Sequence, residues 1–133
     1  MPHLQEECLA YLETVRWDGI PTCPYCGSTN ATPYRKEHRY HCNNCFTSYS
    51  VTVRTLFHGT RVDLHKWFLA IQIIINTSEK ISARHLGERV GVSKNTASSM
   101  KRRIHKARTE QYVFFDALSR DLDSFLRQHH LST

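Results

Sequence analysis

The clearest hydrophobic pattern in the chain begins at Leu64. Apolar side chains recur there every three or four residues, the spacing of one face of an α-helix. They are Leu64, Trp67, Phe68, Ile71, Ile74 and Ile75. Asp63 stands at the position of an N-cap, and Asn76-Thr77-Ser78 ends the pattern. The sequence therefore predicts a helix whose two aromatic residues belong to the core.

Two shorter amphipathic segments follow between residues 81 and 108. Ser82 and Ser93 are candidate N-caps, and Gly91 between them supplies a left-handed turn. The predicted buried faces contain Ala83, Leu86, Val90, Val92, Ala97, Met100 and Ile104. Two helices joined through a glycine turn are the pattern of a helix-turn-helix.

Both ends of the chain also have amphipathic character. The N-terminal helix, residues 1–18, contains Cys8, which we interpret as a small buried hydrophobic side chain. In the C-terminal segment, residues 111–133, one stripe consists of Phe114, Ala117, Leu118, Leu122 and Phe125. That stripe either docks on the core or pairs with a second copy of the chain or another protein.

Two CxxC pairs separated by 15 residues precede the helix at Leu64. They are Cys23 and Cys26 in TCPYCG, and Cys42 and Cys45 in HCNNCF. Four thiolates at this spacing are the ligands of a tetrahedral zinc site, and a complete set leaves no position for a substrate. The sequence therefore predicts a structural Zn²⁺ that stabilises a fragment too small to fold without it.

Two alternatives to a four-cysteine zinc site are compatible with the residue types present. Redox-active CxxC motifs usually occur singly at the start of a helix, and that context is absent from the pattern here. His38, His41 or His58 could replace one cysteine as a ligand, which a complete thiolate set disfavours.

Strands are predicted around the second CxxC pair. The first half of the stretch 27–40 is rich in turn-forming residues and its second half can form a strand, while FTSYSVTV (46–53) is typical of another strand. The predicted fold class is mainly α with a small β zinc ribbon. Its segments are an N-terminal helix (1–18), the ribbon (19–58), a helical domain with the helix-turn-helix (59–110), and a C-terminal helix and tail (111–133).

Positive charge is concentrated in the helix-turn-helix. The chain has a net charge of +6, and residues 80–109 hold nine basic residues against Glu88 alone. A solvated face normally mixes charges of both signs, so this cluster indicates an anionic partner, namely double-stranded DNA. Polar side chains can read base edges and basic ones can hold phosphates. The predicted DNA contacts are Lys94, Asn95, Thr96, Ser98, Ser99, Lys101, Arg102, Arg103 and Lys106.

The sequence gives no indication of export or membrane insertion. Its longest apolar run, residues 68–75, is too short to span a bilayer. The first ten residues carry acids where a signal peptide needs basic residues. We therefore expect a cytoplasmic protein that is associated with the nucleoid when bound to DNA, and in that compartment the cysteines stay reduced.

The order of these parts resembles a known module. CPYCGS, YHCNNC, SVTVRTLFHGT, LHKWFLAI, ISARHLGERVGVSKNTA and the basic helix are similar to the N-terminal region of bacterial insertion-sequence transposases that begin with a zinc ribbon, the Merlin-like group. The resemblance covers about residues 5–108. It implies that the four cysteines bind the metal, that the helix after Ser93 enters the major groove, and that the module recognises transposon ends.

In that family a separate ribonuclease-H-like domain cuts and joins DNA with an acidic metal-binding triad. Only the 24 residues 110–133 follow the basic helix here. We therefore expect a catalytically silent, sequence-recognising DNA-binding protein that acts as a regulator or a recognition subunit. Two alternatives stay open. One is a DNA-binding fragment or subunit of an active transposase whose catalytic domain is elsewhere, and the other is a protein-interaction adaptor.

Overall fold

The structure is a computed structural model, and it describes residues 4–77 and 80–131. In these ranges the helices are α1 (Leu4–Trp17), α2 (Leu64–Thr77), α3 (Ala83–Val90), α4 (Lys94–Glu110), α5 (Tyr112–Arg120) and α6 (Leu122–Gln128). The strands are β1 (Ala31–Tyr34), β2 (Arg39–Cys42) and β3 (Ser48–Tyr49). The predicted fold class, mainly α with a small β region, is confirmed.

Helix α2 lies at the centre of the helical core. The predicted stripe is buried except for Ile75, which is half-buried, and Ala70 and Ile73 outside that stripe are buried as well. The reason is that α1, α3, α4 and α6 all pack against α2. Although α2 is strongly apolar, none of the helices in the described part of the chain has the length and apolarity to cross a membrane.

The two ends of α2 agree with the sequence signals. The Asp63 carbonyl accepts from the backbone N–H of Trp67 at 3.3 Å, and the N–H of Leu64 donates to the side chain of Gln5 in α1 at 3.0 Å. The helix ends at Thr77, and the remainder of the predicted stop signal, Ser78, lies outside the described residues. The start of α2 is thus fixed by a side chain from another helix.

The first helix, α1, contributes to the same core. Cys8 is fully buried, as predicted, and its burial raises the pKa of the thiol to about 12. The Tyr11 hydroxyl donates to the Leu118 carbonyl at 2.5 Å, which fixes α1 against α5. The predicted N-terminal helix is therefore confirmed over Leu4–Trp17.

The sheet differs from its prediction at both ends. Strand β1 forms in a stretch predicted as turn and pairs antiparallel with β2, where its edge position accommodates Pro33. The strand predicted over 46–53 is confined to Ser48–Tyr49. Beyond it the chain turns, because Val51, Leu56 and Phe57 leave the sheet and are buried in the helical core.

The segment predicted as one C-terminal helix forms two helices, α5 and α6, with a break at Asp121. The break is needed because α5 packs against α1 and α4, whereas α6 packs against α2. Phe114 and Ala117 of the predicted stripe are only half-buried, and Phe115 is buried instead. The part of the C-terminal tail that the structure describes ends at residue 131.

Candidate metal centre and nucleic-acid interface

Each CxxC pair closes a tight turn, and the two turns have the same hydrogen bonds. The carbonyl of Cys23 accepts from the N–H of Gly27, and that of Cys42 accepts from the N–H of Phe46, both at 2.9 Å. The residue after each pair has left-handed backbone, with φ of 79° at Gly27 and 64° at Phe46. The need for a positive dihedral at Gly27 is therefore confirmed, and the second turn adopts the same geometry without a glycine.

These turns bring four thiols together. The Sγ atoms of Cys23, Cys26, Cys42 and Cys45 all lie within 4.8 Å of one another. Cys23 and Cys45 are 3.7 Å apart, and Cys26 and Cys42 are 3.5 Å apart. Sulfurs around a tetrahedral zinc ion with bonds of about 2.3 Å are about 3.8 Å apart, whereas a disulfide needs about 2.05 Å. The four thiols are thus positioned to bind a metal ion, consistent with the predicted Zn²⁺.

Polar neighbours favour the thiolate form that binds metal. The side-chain amide of Asn44 donates to Cys26 Sγ at 3.4 Å and is the main cause that lowers the pKa of Cys26 to about 6. The Thr47 hydroxyl likewise lowers the pKa of Cys45. Burial has the opposite effect on Cys23 and raises its pKa. A bound dication offsets this penalty, because it stabilises a buried thiolate directly.

The histidines considered as alternative ligands lie elsewhere. Among the described residues, the metal-binding group contains cysteines alone. His38 Nε2 lies 3.9 Å from a glutamate of α1, and His58 Nδ1 accepts from the N–H of Arg54 at 2.9 Å. The ring of His41 packs beside that of Phe46. The structure therefore favours the all-cysteine set.

The ribbon has a small core of its own next to the metal site. Its buried residues are Cys23, Cys42 and Tyr49. The rings of Trp17, Tyr40 and Tyr49 pack together with centroids 5.6 to 5.7 Å apart. The Tyr40 hydroxyl donates to Glu13 at 2.7 Å. Because Trp17 and Glu13 belong to α1, this helix attaches the metal site to the helical core.

The helix-turn-helix forms as predicted. The hydroxyls of Ser82 and Ser93 each accept from the backbone N–H three residues further on, at 3.1 Å in both cases. Gly91 has a left-handed backbone, with φ of 84°. The predicted inner residues of α4 are buried, namely Ala97, Met100 and Ile104. Two capped helices are therefore held around a fixed turn.

The first turn of α4 is open to solvent. Lys94 and Asn95 are exposed, whereas Thr96 is half-buried and its hydroxyl lies 2.9 Å from that of Ser93. The other predicted DNA contacts on the helix are half-buried (Ser98, Ser99 and Lys101) or exposed (Arg102, Arg103 and Lys106).

Several basic side chains of α4 bind other groups of the protein. Lys101 donates to the backbone carbonyl of Ile81 at 2.7 Å. Arg103 donates to two backbone carbonyls in the turn before α2, at 3.2 and 3.1 Å. Lys106 lies 3.8 Å from Glu110 one helical turn away, which is a weak exposed pair. Arg102 is exposed and has no hydrogen bond or ion pair with a described residue.

Arg54 connects the ribbon with α4, a role that the sequence did not indicate. Its guanidinium donates to the Pro24 carbonyl at 2.8 Å and lies 4.7 Å from the centre of the Tyr25 ring. Its carbonyl accepts from the side chain of Gln111, directly after α4, at 2.7 Å. No sequence motif marks such a residue, because its contacts are 30 and 57 positions away along the chain.

Gly87 has a second role that the sequence does not indicate directly. Its carbonyl accepts from the N–H groups of both Gly91 and Val92, at 2.9 and 3.0 Å. A Cβ at this position would lie 2.7 Å from the Val92 carbonyl oxygen. An isolated glycine inside a helical pattern often indicates that another part of the chain packs closely against that position, and this is the sequence signal that points to Gly87.

By its fold and site, this protein joins a four-cysteine ribbon of the zinc type to a helix-turn-helix. Residues 4–48 match the transposase zinc-ribbon domain family. The chain is 30% identical over 99 residues to an uncharacterized protein in transposable element ISH50 of Halobacterium salinarum, a match that covers 72% of this chain and 33% of that protein. The predicted resemblance to a transposase zinc-ribbon region is confirmed.

The chain spans about a third of the length of the curated relative it matches. No solved structure matches it.

Proposed function

We propose that this protein is a zinc-stabilised, sequence-recognising DNA-binding protein, in which the first turn of α4 enters the major groove of double-stranded DNA. The observation that carries the proposal is the capped start of α4. Ser93 fixes this turn, and Lys94 and Asn95 project from it into solvent. In a helix-turn-helix, this is the part of the second helix that meets the base edges.

The exposed side chains have the chemistry for distinct contacts. The Asn95 amide can form two hydrogen bonds with adenine, and Lys94 can donate to guanine, each worth ~1–3 kcal/mol of discrimination. Arg102 projects two turns further along and can neutralise a phosphate. The other proposed DNA contacts are the polar residues Thr96, Ser98 and Ser99 and the basic residues Lys101, Arg103 and Lys106.

Asn95→Ala and Lys94→Ala should lower the affinity for a preferred duplex by roughly fivefold or more each, because each removes a base contact worth ~1–3 kcal/mol. The duplex is first recovered by selection from random DNA, and affinities are then measured by mobility shift. Affinity for random-sequence duplex should change much less. Lys36→Ala, an exposed lysine of the ribbon outside the basic cluster 80–109, serves as the charge-matched control. If affinity falls equally for the selected duplex and for random DNA, α4 contributes only electrostatic binding and does not read the sequence.

Arg102→Ala should weaken binding to all duplexes in similar proportion. Loss of one phosphate contact should reduce the slope of log affinity against log salt by about 0.9. Arg120→Ala removes the same charge from an exposed position on α5 and should leave the slope unchanged. If the slope is identical in Arg102→Ala and the wild type, Arg102 does not contact a phosphate and DNA does not bind at this part of α4.

We further propose that the chain supplies recognition at transposon ends, or regulation derived from it, and no strand-cleavage chemistry. Among the described residues, the sole group of three or more side chains that could hold a metal ion is the closed set of four thiols. Such a site stabilises structure and offers no position for an attacking water. The full chain, incubated with Mg²⁺ and the selected duplex, should therefore bind without cutting. Binding of this kind would place the protein at the nucleoid in the cytoplasm.

A second candidate function follows from the length of the ISH50 relative. The matched stretch covers 33% of that protein. As a second candidate we propose that the chain is the recognition part of a longer transposase or of a complex with a catalytic subunit. Mg²⁺-dependent cleavage by the full chain, alone or with a partner, would favour this function. A chain that shows no salt-dependent DNA binding at all would instead favour a protein-interaction adaptor.

A further inference from the structure

We infer that Arg54 is a positioning residue that couples the zinc site to the DNA-binding helix α4, so that metal binding and DNA binding favour each other. The inference rests on the proposed role of α4 in DNA binding. Its structural half, the link between the metal site and α4, is independent of that role and can be measured without DNA.

One side of the link is the contact of Arg54 with the first CxxC turn. The guanidinium donates to the Pro24 carbonyl at 2.8 Å and stacks over Tyr25 at 4.7 Å. Both partners lie between Cys23 and Cys26 in the chain. Their positions therefore depend on the closure of that turn by the metal.

The other side of the link consists of two contacts between α4 and the segment 54–58. Gln111 at the C-terminal end of α4 donates to the Arg54 carbonyl at 2.7 Å. Arg103, two turns earlier, donates to the carbonyls of Leu56 and His58 at 3.2 and 3.1 Å. The segment thus lies between the metal site and the second half of α4 and is hydrogen-bonded to both.

The backbone of Arg54 adds a reason for the link to act as a switch. Arg54 has a left-handed conformation, with φ of 62°, which is unfavourable for a side chain of this type. Such a conformation persists where its surroundings fix it. When the CxxC turn opens, the guanidinium loses its partners, and the segment 54–58 can relax away from α4. A tilt of α4 then moves its first turn relative to the groove.

Arg54→Asn isolates the side chain in the experiment. Asparagine tolerates the left-handed backbone, so the variant keeps the turn while losing the guanidinium. The matched control is Arg39→Asn. Arg39 also stacks on a tyrosine, with its guanidinium 4.5 Å from the Tyr34 ring, but its hydrogen bonds stay within the ribbon. Both variants remove one positive charge.

Binding of the zinc-loaded full-length variants to the selected duplex is the first measurement. Arg54→Asn should weaken binding about fivefold or more, in the range of ordinary coupling energies, with an unchanged salt slope because Arg54 is not proposed to touch phosphate. Arg39→Asn should change affinity less than about twofold. Equal weakening by both variants, or a lowered slope in Arg54→Asn, would show that Arg54 acts through its charge and would overturn the coupling.

Hydrogen exchange without DNA is the second measurement. Stripping zinc from the wild type should speed the exchange of amides in 54–58 and in the second half of α4, as well as those in the ribbon. In zinc-loaded Arg54→Asn, the amides of 54–58 and α4 should already exchange fast. If zinc removal speeds exchange in residues 19–53 alone and leaves 54–58 and α4 unchanged, the link is overturned. If the link is present but the wild type fails to bind DNA, the proposed function fails and the coupling within the protein stands.

Discussion

The ribbon and the helical domain meet the same requirement for stability in different ways. The helices bury one continuous set of aliphatic and aromatic side chains around α2, with Phe68, Ile71 and Ile74 completely buried. The ribbon buries Cys23, Cys42 and Tyr49, two of which are candidate metal ligands. A fragment of this size cannot offset its loss of chain entropy by burial of so little apolar surface. The metal ion therefore takes the place of a hydrophobic core.

This difference also explains how the two regions are joined. The ribbon has little apolar surface to offer, so its attachment uses specific contacts. The aromatic cluster around Trp17 holds it to α1, and the Arg54 side chain holds it to the segment before α2. A region whose interior is a metal site is thus fixed to its neighbour by a few directional interactions, each of which can be tested singly.

Removal of zinc should have the largest effect and should be confined to the ribbon and the residues linked to it. Structural zinc sites contribute about 10–16 kcal/mol of apparent binding energy, which folding of the ribbon requires. The two tryptophans report separately on the two regions. The indole resonance of Trp17 should shift strongly on chelation or in Cys42→Ser, whereas that of Trp67, which donates to Thr60 in the helical domain, should change little.

Cys8→Ser is the matched control for the cysteine substitution. Cys8 is buried in the helical core, so a hydroxyl there costs roughly 1–3 kcal/mol of stability but leaves zinc stoichiometry intact. An unperturbed Trp17 resonance after complete removal of zinc would contradict the view that the metal replaces a core.

Phe68→Ala should produce the converse result. Phe68 is completely buried and packs edge-on against Tyr11, Phe57 and Phe125. Its truncation should lower the free energy of unfolding of the helical domain by about 3–5 kcal/mol, measured by denaturant titration. Zinc binding by the four cysteines should persist, since none of them belongs to this core. Phe46→Ala, the same chemical change at a 75% exposed position, should have little effect on the helical domain.

The parts of the fold that could be predicted are those with local signals. The caps Ser82 and Ser93, the turn at Gly91 and the four cysteines each depend on residues only a few positions apart. The strand predicted over 46–53 failed because Val51, despite its β-branched side chain, is buried in the helical core. The single C-terminal helix failed because two different neighbours must be covered, and a straight helix cannot reach both.

In the candidate site, too, features with local sequence signals could be predicted and features that depend on distant contacts could not. The sequence identified the four cysteines that lie together in positions to bind a metal ion, and the exposed start of α4. It could not separate Arg102 from Arg103, because adjacent arginines look alike in the sequence while Arg103 is bound to backbone carbonyls 45 and 47 positions away. Local sequence patterns cannot identify residues whose role depends on partners far away along the chain.

Gly87→Ala should lower stability less than Phe68→Ala does, and it tests a different structural requirement within the helical domain. The arrangement of α3 and α4 depends on the close approach of α3 to the turn before α4, and this approach requires a residue without a side chain at position 87. A methyl group would meet the Val92 carbonyl oxygen at 2.7 Å and the Ser93 carbonyl oxygen at 3.2 Å, so the backbone must shift. Such overpacking typically costs about 1–3 kcal/mol, which thermal unfolding can measure. Because the shifted backbone includes the cap of α4, affinity for the selected duplex should fall as well.

Gly91→Asn is the control, since asparagine tolerates a left-handed backbone and the nearest atom to a Cβ there is the flexible end of Lys66, at 3.8 Å. If both variants were equally mild in stability and in DNA affinity, the spacing of the two helices would not depend on Gly87.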